Sequence, residues 1–89
     1  MSDEALLRAV GQGDHDAFAK LYTSTRQAML AHATGILGGD SFAAEDAVDE
    51  AFAEIWRLAG KFNAIGSASA WIRRIVRNKA VDMLRKPAK

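Results

Sequence analysis

"WIRRIVRNKAVDMLRK", Trp71 to Lys86, carries an apolar residue at every third or fourth position and sets six Lys or Arg against one Asp. That period is the helical one. On a wheel of about 100° per residue, Ile72, Ile75, Val76 and Met83 gather on one side. Arg73, Arg74, Arg77 and Arg85 take the opposite side, with Asn78 beside them and Lys79 and Lys86 at the apolar edge. The segment is therefore an amphipathic helix whose outer face is almost wholly positive. From Trp71 to Lys89 seven basic residues stand against Asp82 alone, although the whole 89-residue chain has a formal charge of only +1.

The balancing negative charge is concentrated too. Asp40, Glu45, Asp46, Asp49, Glu50 and Glu54 precede Arg57 on a second helical stretch, where Val48, Phe52, Ile55 and Ala59 form the apolar stripe and Trp56 flanks it. Helices built only for solubility tend to mix signs at i,i+4. Two faces of single sign suit two partners: a polyanion for one, a basic protein surface for the other.

The rest of the chain is helical as well. Alanine is abundant, no strand-length alternation occurs, and the one proline, Pro87, follows the last periodic segment. Ser2 with Asp3 can cap a short helix over Glu4 to Val10, closed by Gly11 and Gly13. A long helix runs from Asp14 or Asp16 to about Leu37, with Phe18, Leu21, Tyr22, Met29, Leu30 and Ala33 at core spacing and Gly38-Gly39 as its stop. Asp40 or Ser41 opens the acidic helix, which reaches about Leu58. "GKFNAIGS", Gly60 to Ser67, breaks the pattern as a loop, and Ser67 or Ser69 caps the basic helix, which Pro87 ends. The expectation is an all-α fold: a compact bundle of three long helices plus a short N-terminal helix, one domain over residues 1–89.

Composition narrows the function. There is no cysteine, hence no disulfide framework and no thiolate metal site. No apolar run approaches the roughly 20 residues a membrane helix needs, and Asp3 and Glu4 replace the basic start of a signal peptide, so a cytoplasmic location without membrane insertion is expected. His15 and His32 lack metal-ligand spacing, and Gly11-Gln12-Gly13 lacks the strand and third glycine of a dinucleotide loop. The carboxylates of the acidic helix lie on an outer face, a poor place for general acid/base work. Neither an enzyme nor a cofactor is expected.

"GDHDAFAKLY", "AEDAVDEAFAEIW" and "ASAWIRRIVRNKAVDMLRK", in this order and spacing, resemble region 2 of the extracytoplasmic-function (ECF) sigma factors, bacterial initiation subunits of RNA polymerase. The likeness spans about Ala5 to Lys86. It implies two surfaces. One, at Asp46, Asp49, Glu50 and Phe52, would dock on the clamp helices of the β′ subunit of the polymerase core, although Phe52 also lies on the apolar stripe, where core packing is its simpler role. The other would hold the melted non-template strand of the promoter −10 element. There the resemblance places Phe62, Asn63, Ser67, Trp71, Arg73, Arg74, Arg77, Asn78, Lys79 and Arg85, with Phe62 as pocket wall and Asn78 as polar reader. Trp71 stands either as a stacking platform for bases or as an anchor of the loop on the helix.

The resemblance further implies an anti-sigma factor as partner, a monomer, and a helix-turn-helix domain absent from residues 1–89. Its rival is a sigma-like decoy that binds an anti-sigma factor without touching DNA. Three positions depart from the family pattern. Asp49 stands where Gln is usual. The loop has no Arg before Gly66. Ala68 occupies a frequent aromatic position, which predicts a shallower pocket.

Overall fold

The computed structural model describes residues 2–62 and 66–85. Four α-helices follow one another: α1 (Asp3–Gly11), α2 (His15–Ile36), α3 (Ser41–Leu58) and α4 (Ala68–Arg85), with a 3-10 turn at Ala59–Lys61 after α3. The three long helices and the short α1 form the expected all-α bundle, and no strand occurs among the described residues. Pro87 and Asn63 lie outside the described residues.

Polar side chains set the helix starts. Ser2 accepts the Ala5 N–H at 3.2 Å, Asp14 the Ala17 N–H at 3.0 Å, and Asp40 the Ala43 N–H at 3.0 Å. Each satisfies an amide that no helical carbonyl can reach, worth about 0.5–2 kcal/mol. The choices open in the sequence resolve to Asp14 and Asp40 as caps. At the far end of α2, Gly38 takes φ 66° and the Gly39 N–H returns to the Thr34 carbonyl at 2.9 Å. That left-handed closure reverses the chain into α3 within a few residues.

The core is assembled from the stripes read in the sequence. Leu7, Leu21, Val48, Ile55, Ile72 and Val76 are its largest fully buried side chains. Between them α3 buries Ala44, Ala47 and Ala51, and α4 buries Ala68 and Ala80. Small residues take little room between packed helices, and α3 and α4 pack along each other. Thr25 is buried within the second helix, its hydroxyl donating to the Leu21 carbonyl at 2.8 Å, so the apolar stripe tolerates it.

Ile55 is fully buried, whereas Phe42 is 83% exposed. Ile55→Ala should cost about 2–5 kcal/mol and, for a domain of this size, lower the melting temperature by roughly 10 °C or more. Phe42→Ser should stay within about 0.5 kcal/mol of wild type. Thermal unfolding followed by circular dichroism checks both.

Candidate nucleic-acid and partner interfaces

On α4, Arg73, Arg74, Arg77, Asn78 and Arg85 are all exposed. Arg85 lies on the Arg74 stripe about three turns on, roughly 16 Å along the axis. The stems of Arg73, Arg74 and Arg77 line an open groove of about 410 Å³ together with Ser67, Ser69 and Ala70. A second cleft of about 370 Å³ adjoins it, lined by Lys61, Phe62, Gly66, Ser67, Ala70, Trp71 and Arg74. Ser67, Ala70 and Arg74 belong to both, so aromatic cleft and arginine groove form one continuous surface.

Phe62 and Trp71 are half-buried and meet edge to face, centroids 5.6 Å apart at 65°. That contact holds the end of the 3-10 turn against the first turn of α4 while leaving both rings on the cleft. Trp71 thus packs on Phe62 and lines the cleft at once. Ser67 opens α4: its hydroxyl accepts the Ala70 N–H at 3.3 Å and its carbonyl the Trp71 N–H at 3.0 Å.

Three sequence expectations are relocated by packing. The Ala68 side chain is fully buried, so it faces the core and takes no part in the depth of the cleft. Lys79 turns to the α3 side, its Nζ 2.7 Å from Glu54 Oε2. Glu54 also receives Arg57. Its hydrogen bond to Lys79 chiefly, with the charges of both cations, holds the Glu54 carboxyl below its ordinary range, and the same hydrogen bond raises the Lys79 ammonium. Asn78 lies one turn beyond Arg74 on the exposed face, and the described lining of the Phe62 cleft does not include it.

Beneath the arginines sits His32 of α2, a residue the sequence offered no task. Its Nε2 is shielded from solvent and has no hydrogen-bond partner among the described residues. Burial first, then the charges of Arg73 and Arg77, lower its pKa from the usual value.

The acidic face presents Glu45, Asp46, Asp49 and Glu50, all exposed. Asp49 is oriented from α2: the Tyr22 hydroxyl donates to Asp49 Oδ1 at 3.0 Å, and Arg26 Nε donates to the Tyr22 oxygen at 2.8 Å. The Tyr22 hydrogen bond, with Glu45 and Asp49 nearby, raises the Arg26 pKa further. Phe52 is 2% exposed, packed edge-on against Tyr22 at 5.0 Å and Phe18 at 6.0 Å. It lies under the acidic face and supports Tyr22. Phe42 stands on the same side of α3 as Asp46 and Asp49, four and seven residues on. Sequence reasoning passed over Tyr22 and Arg26 as polar partners, though their i,i+4 spacing was a usable signal. Phe42 was visible as an aromatic on the polar side of the wheel. Among the described residues there is no acidic or histidine cluster able to hold a metal ion, and no helix long and apolar enough to cross a membrane.

The described residues thus form an all-α bundle with a cationic helix joined to an aromatic cleft and an acidic helix on another side. The model of the sigma-70 region 2 family matches residues 21–89, and the chain belongs to that family. It is 36% identical over 83 residues to the ECF RNA polymerase sigma factor SigK of Mycobacterium tuberculosis (strain ATCC 25177 / H37Ra), covering 92% of this chain and 44% of that one. To the proteins of the same name from Mycobacterium sp. (strain KMS) and Mycolicibacterium vanbaalenii it is 34% and 32% identical, again over 92% of this chain and 42% of each relative. The chain therefore spans less than half the length of these relatives. No solved structure matched.

Because folding holds His32 below its ordinary value of about 6.5, the unfolded chain takes up the proton first as the pH falls. The stability that neutral His32 contributes is present above that value and is lost as the pH drops through the lower, folded one. Melting temperatures measured at about pH 7.5 and about pH 5.5 should fall at the acid end, and His32→Gln should flatten that fall. An equal fall in the variant would assign it to other groups.

Proposed function

We propose that this domain serves transcription initiation. The acidic face of α3 docks on the β′ clamp helices of the RNA polymerase core, and α4 with the preceding loop holds the melted non-template strand of the promoter −10 element. The observation that carries the reading is the continuity of the Phe62–Trp71 cleft with the groove of Arg73, Arg74 and Arg77. A single strand needs cations for its phosphates and a π-surface for an unstacked base, side by side. Membership of the sigma-70 region 2 family, and relatives named as RNA polymerase sigma factors, agree with it.

The division of labour on α4 follows from side-chain direction. Arg73, Arg74 and Arg77 take phosphates, with Arg85 extending the track, while Lys79 stays in its pair with Glu54. Asn78, exposed next to Arg77 and Arg74, offers a donor and an acceptor to a base edge on the outer face. On α3, Asp46, Asp49 and Glu50 supply charge, Asp49 pre-oriented by Tyr22. A fixed carboxylate loses less side-chain freedom on docking than a free one, so the same contact binds more tightly. An anti-sigma factor that silenced the domain would have this face to cover.

Fluorescence anisotropy against core RNA polymerase at two salt concentrations is the direct test. The expected result is salt-sensitive binding at micromolar affinity or better, lost in Asp49→Lys/Glu50→Lys with the helical spectrum unchanged. With single-stranded oligonucleotides, Arg73→Ala, Arg74→Ala and Arg77→Ala should each reduce the log–log salt slope by about 0.7, and Lys79→Ala should leave it unchanged. Asn78→Ala should weaken a preferred sequence more than a scrambled one, by up to about tenfold. Failure of the folded chain to bind both polymerase and strand would leave the decoy reading in place.

A further inference from the structure

Helix α1 has no role in either face, yet it contacts both elements that carry the walls of the cleft, the 3-10 turn and α4. At its start, Glu4 Oε2 accepts the N–H of Ala68 at 2.8 Å across 64 positions of sequence. Ala68 is the first residue of α4, so this carboxylate satisfies an amide that the helix itself cannot pair, at the positive end of its dipole. At the other end of α1, Gly11 lies against the 3-10 turn. A Cβ there would stand 3.1 Å from the Ala59 oxygen and 3.2 Å from Gly60 Cα, so a side chain would push the turn back by a few tenths of an ångström. Phe62 follows directly, and its N–H is bonded to the Ala59 carbonyl at 3.1 Å. Between the two contacts run six residues of continuous helix, seven steps and a rigid span of roughly 10 Å.

That rod is itself fixed. Leu6, Leu7 and Val10 are buried in the core and hold it there. The Phe62 wall and the α4 wall of the cleft are therefore referred to one rigid element that is neither of them.

We propose that α1 is the gauge of the cleft: Glu4 and Gly11 are positioning residues that hold Phe62 and the first turn of α4, with Trp71 and Arg74, in the register a base requires. The proposal rests on the single-strand reading of the cleft for its consequence, since a pocket that selects a base must keep its walls within a fraction of an ångström. Glu4 also fills the amide site at the start of α4. A bound strand is then directed along the arginine groove, because the position where the helix terminus would attract a phosphate already holds a carboxylate.

The test compares Glu4→Ala, Glu4→Gln and Asp3→Ala in the full chain. Asp3 is a control from the same turn of α1 that contacts α2 and not the cleft. Amide hydrogen exchange well below the melting temperature comes first. Glu4→Ala should speed exchange at Phe62 and at Ser67 to Trp71 by about two- to thirtyfold, the factor a lost helix cap carries. Glu4→Gln, whose amide oxygen can accept the same N–H, should recover most of the protection, and Asp3→Ala should leave these amides as in wild type. The second measurement is the ratio of affinities for two fluorescein-labelled single-stranded decamers. One is selected by the wild-type chain from a random pool, the other is its scrambled form. Glu4→Ala should lower that ratio by at least about threefold, and Asp3→Ala should preserve it. Unchanged exchange in Glu4→Ala, or equal changes in Asp3→Ala, would overturn the role of α1. A wild-type ratio of one would instead sink the single-strand reading, with the exchange data still deciding whether α1 sets the cleft.

Discussion

Three long helices and a short one have to share a single small core, and that sharing governs the rest of the molecule. A chain of this size supports one core and no second. Each long helix therefore gives one stripe to it and has the remainder of its circumference free. In α3 and α4 the buried stripe mixes alanines with Val48, Phe52, Ile55, Ile72 and Val76, and the polar residues of each helix fall outside it. Opposite charges that would otherwise attract across a few ångströms are held on separate sides of the bundle. They meet at the seam, where Glu54 joins Lys79.

The consequence is a small domain with two poles whose net charge conceals them. At physiological salt the field of an exposed charge is screened within about 8 Å, so each pole acts on what touches it with little interference from the other. On the arginine face, burial and the charges of Arg73 and Arg77 lower the pKa of His32. The acidic face is shaped by Tyr22 and Arg26, which aim one carboxylate and rest on Phe52. In both cases α2, a helix with no pronounced charge of its own, supplies the support.

Much of this was legible from residue order. Helix periods, the capping aspartates at 14 and 40, the glycine stop at 38 and 39, and the segregation of charge are local properties, and local geometry enforces them. The arginines could be placed on the outer face because the apolar stripe opposite them admits no other side for the core. Contacts between helices were less readable. Lys79 sat at the edge of the wheel, where a turn of a few degrees decides between solvent and Glu54. Phe52 satisfied two descriptions at once, and only its depth of burial distinguishes them. The partner of Glu4 is 64 residues away, and no periodicity reports such a pair.

The sequence by itself determined the all-α class, the helix limits to within a residue or two, the core stripes, and the opposite signs of the two outer faces. These follow from hydrophobic period, capping chemistry and glycine's access to positive φ, each acting over a few neighbouring residues. Tertiary structure alone decided that Lys79 pairs with Glu54, that Ala68 turns inward, that Phe62 and Trp71 meet at one cleft, and that α1 contacts both the 3-10 turn and α4. Those outcomes depend on how helices approach and rotate against one another, a collective result of packing many side chains at once that no single segment encodes.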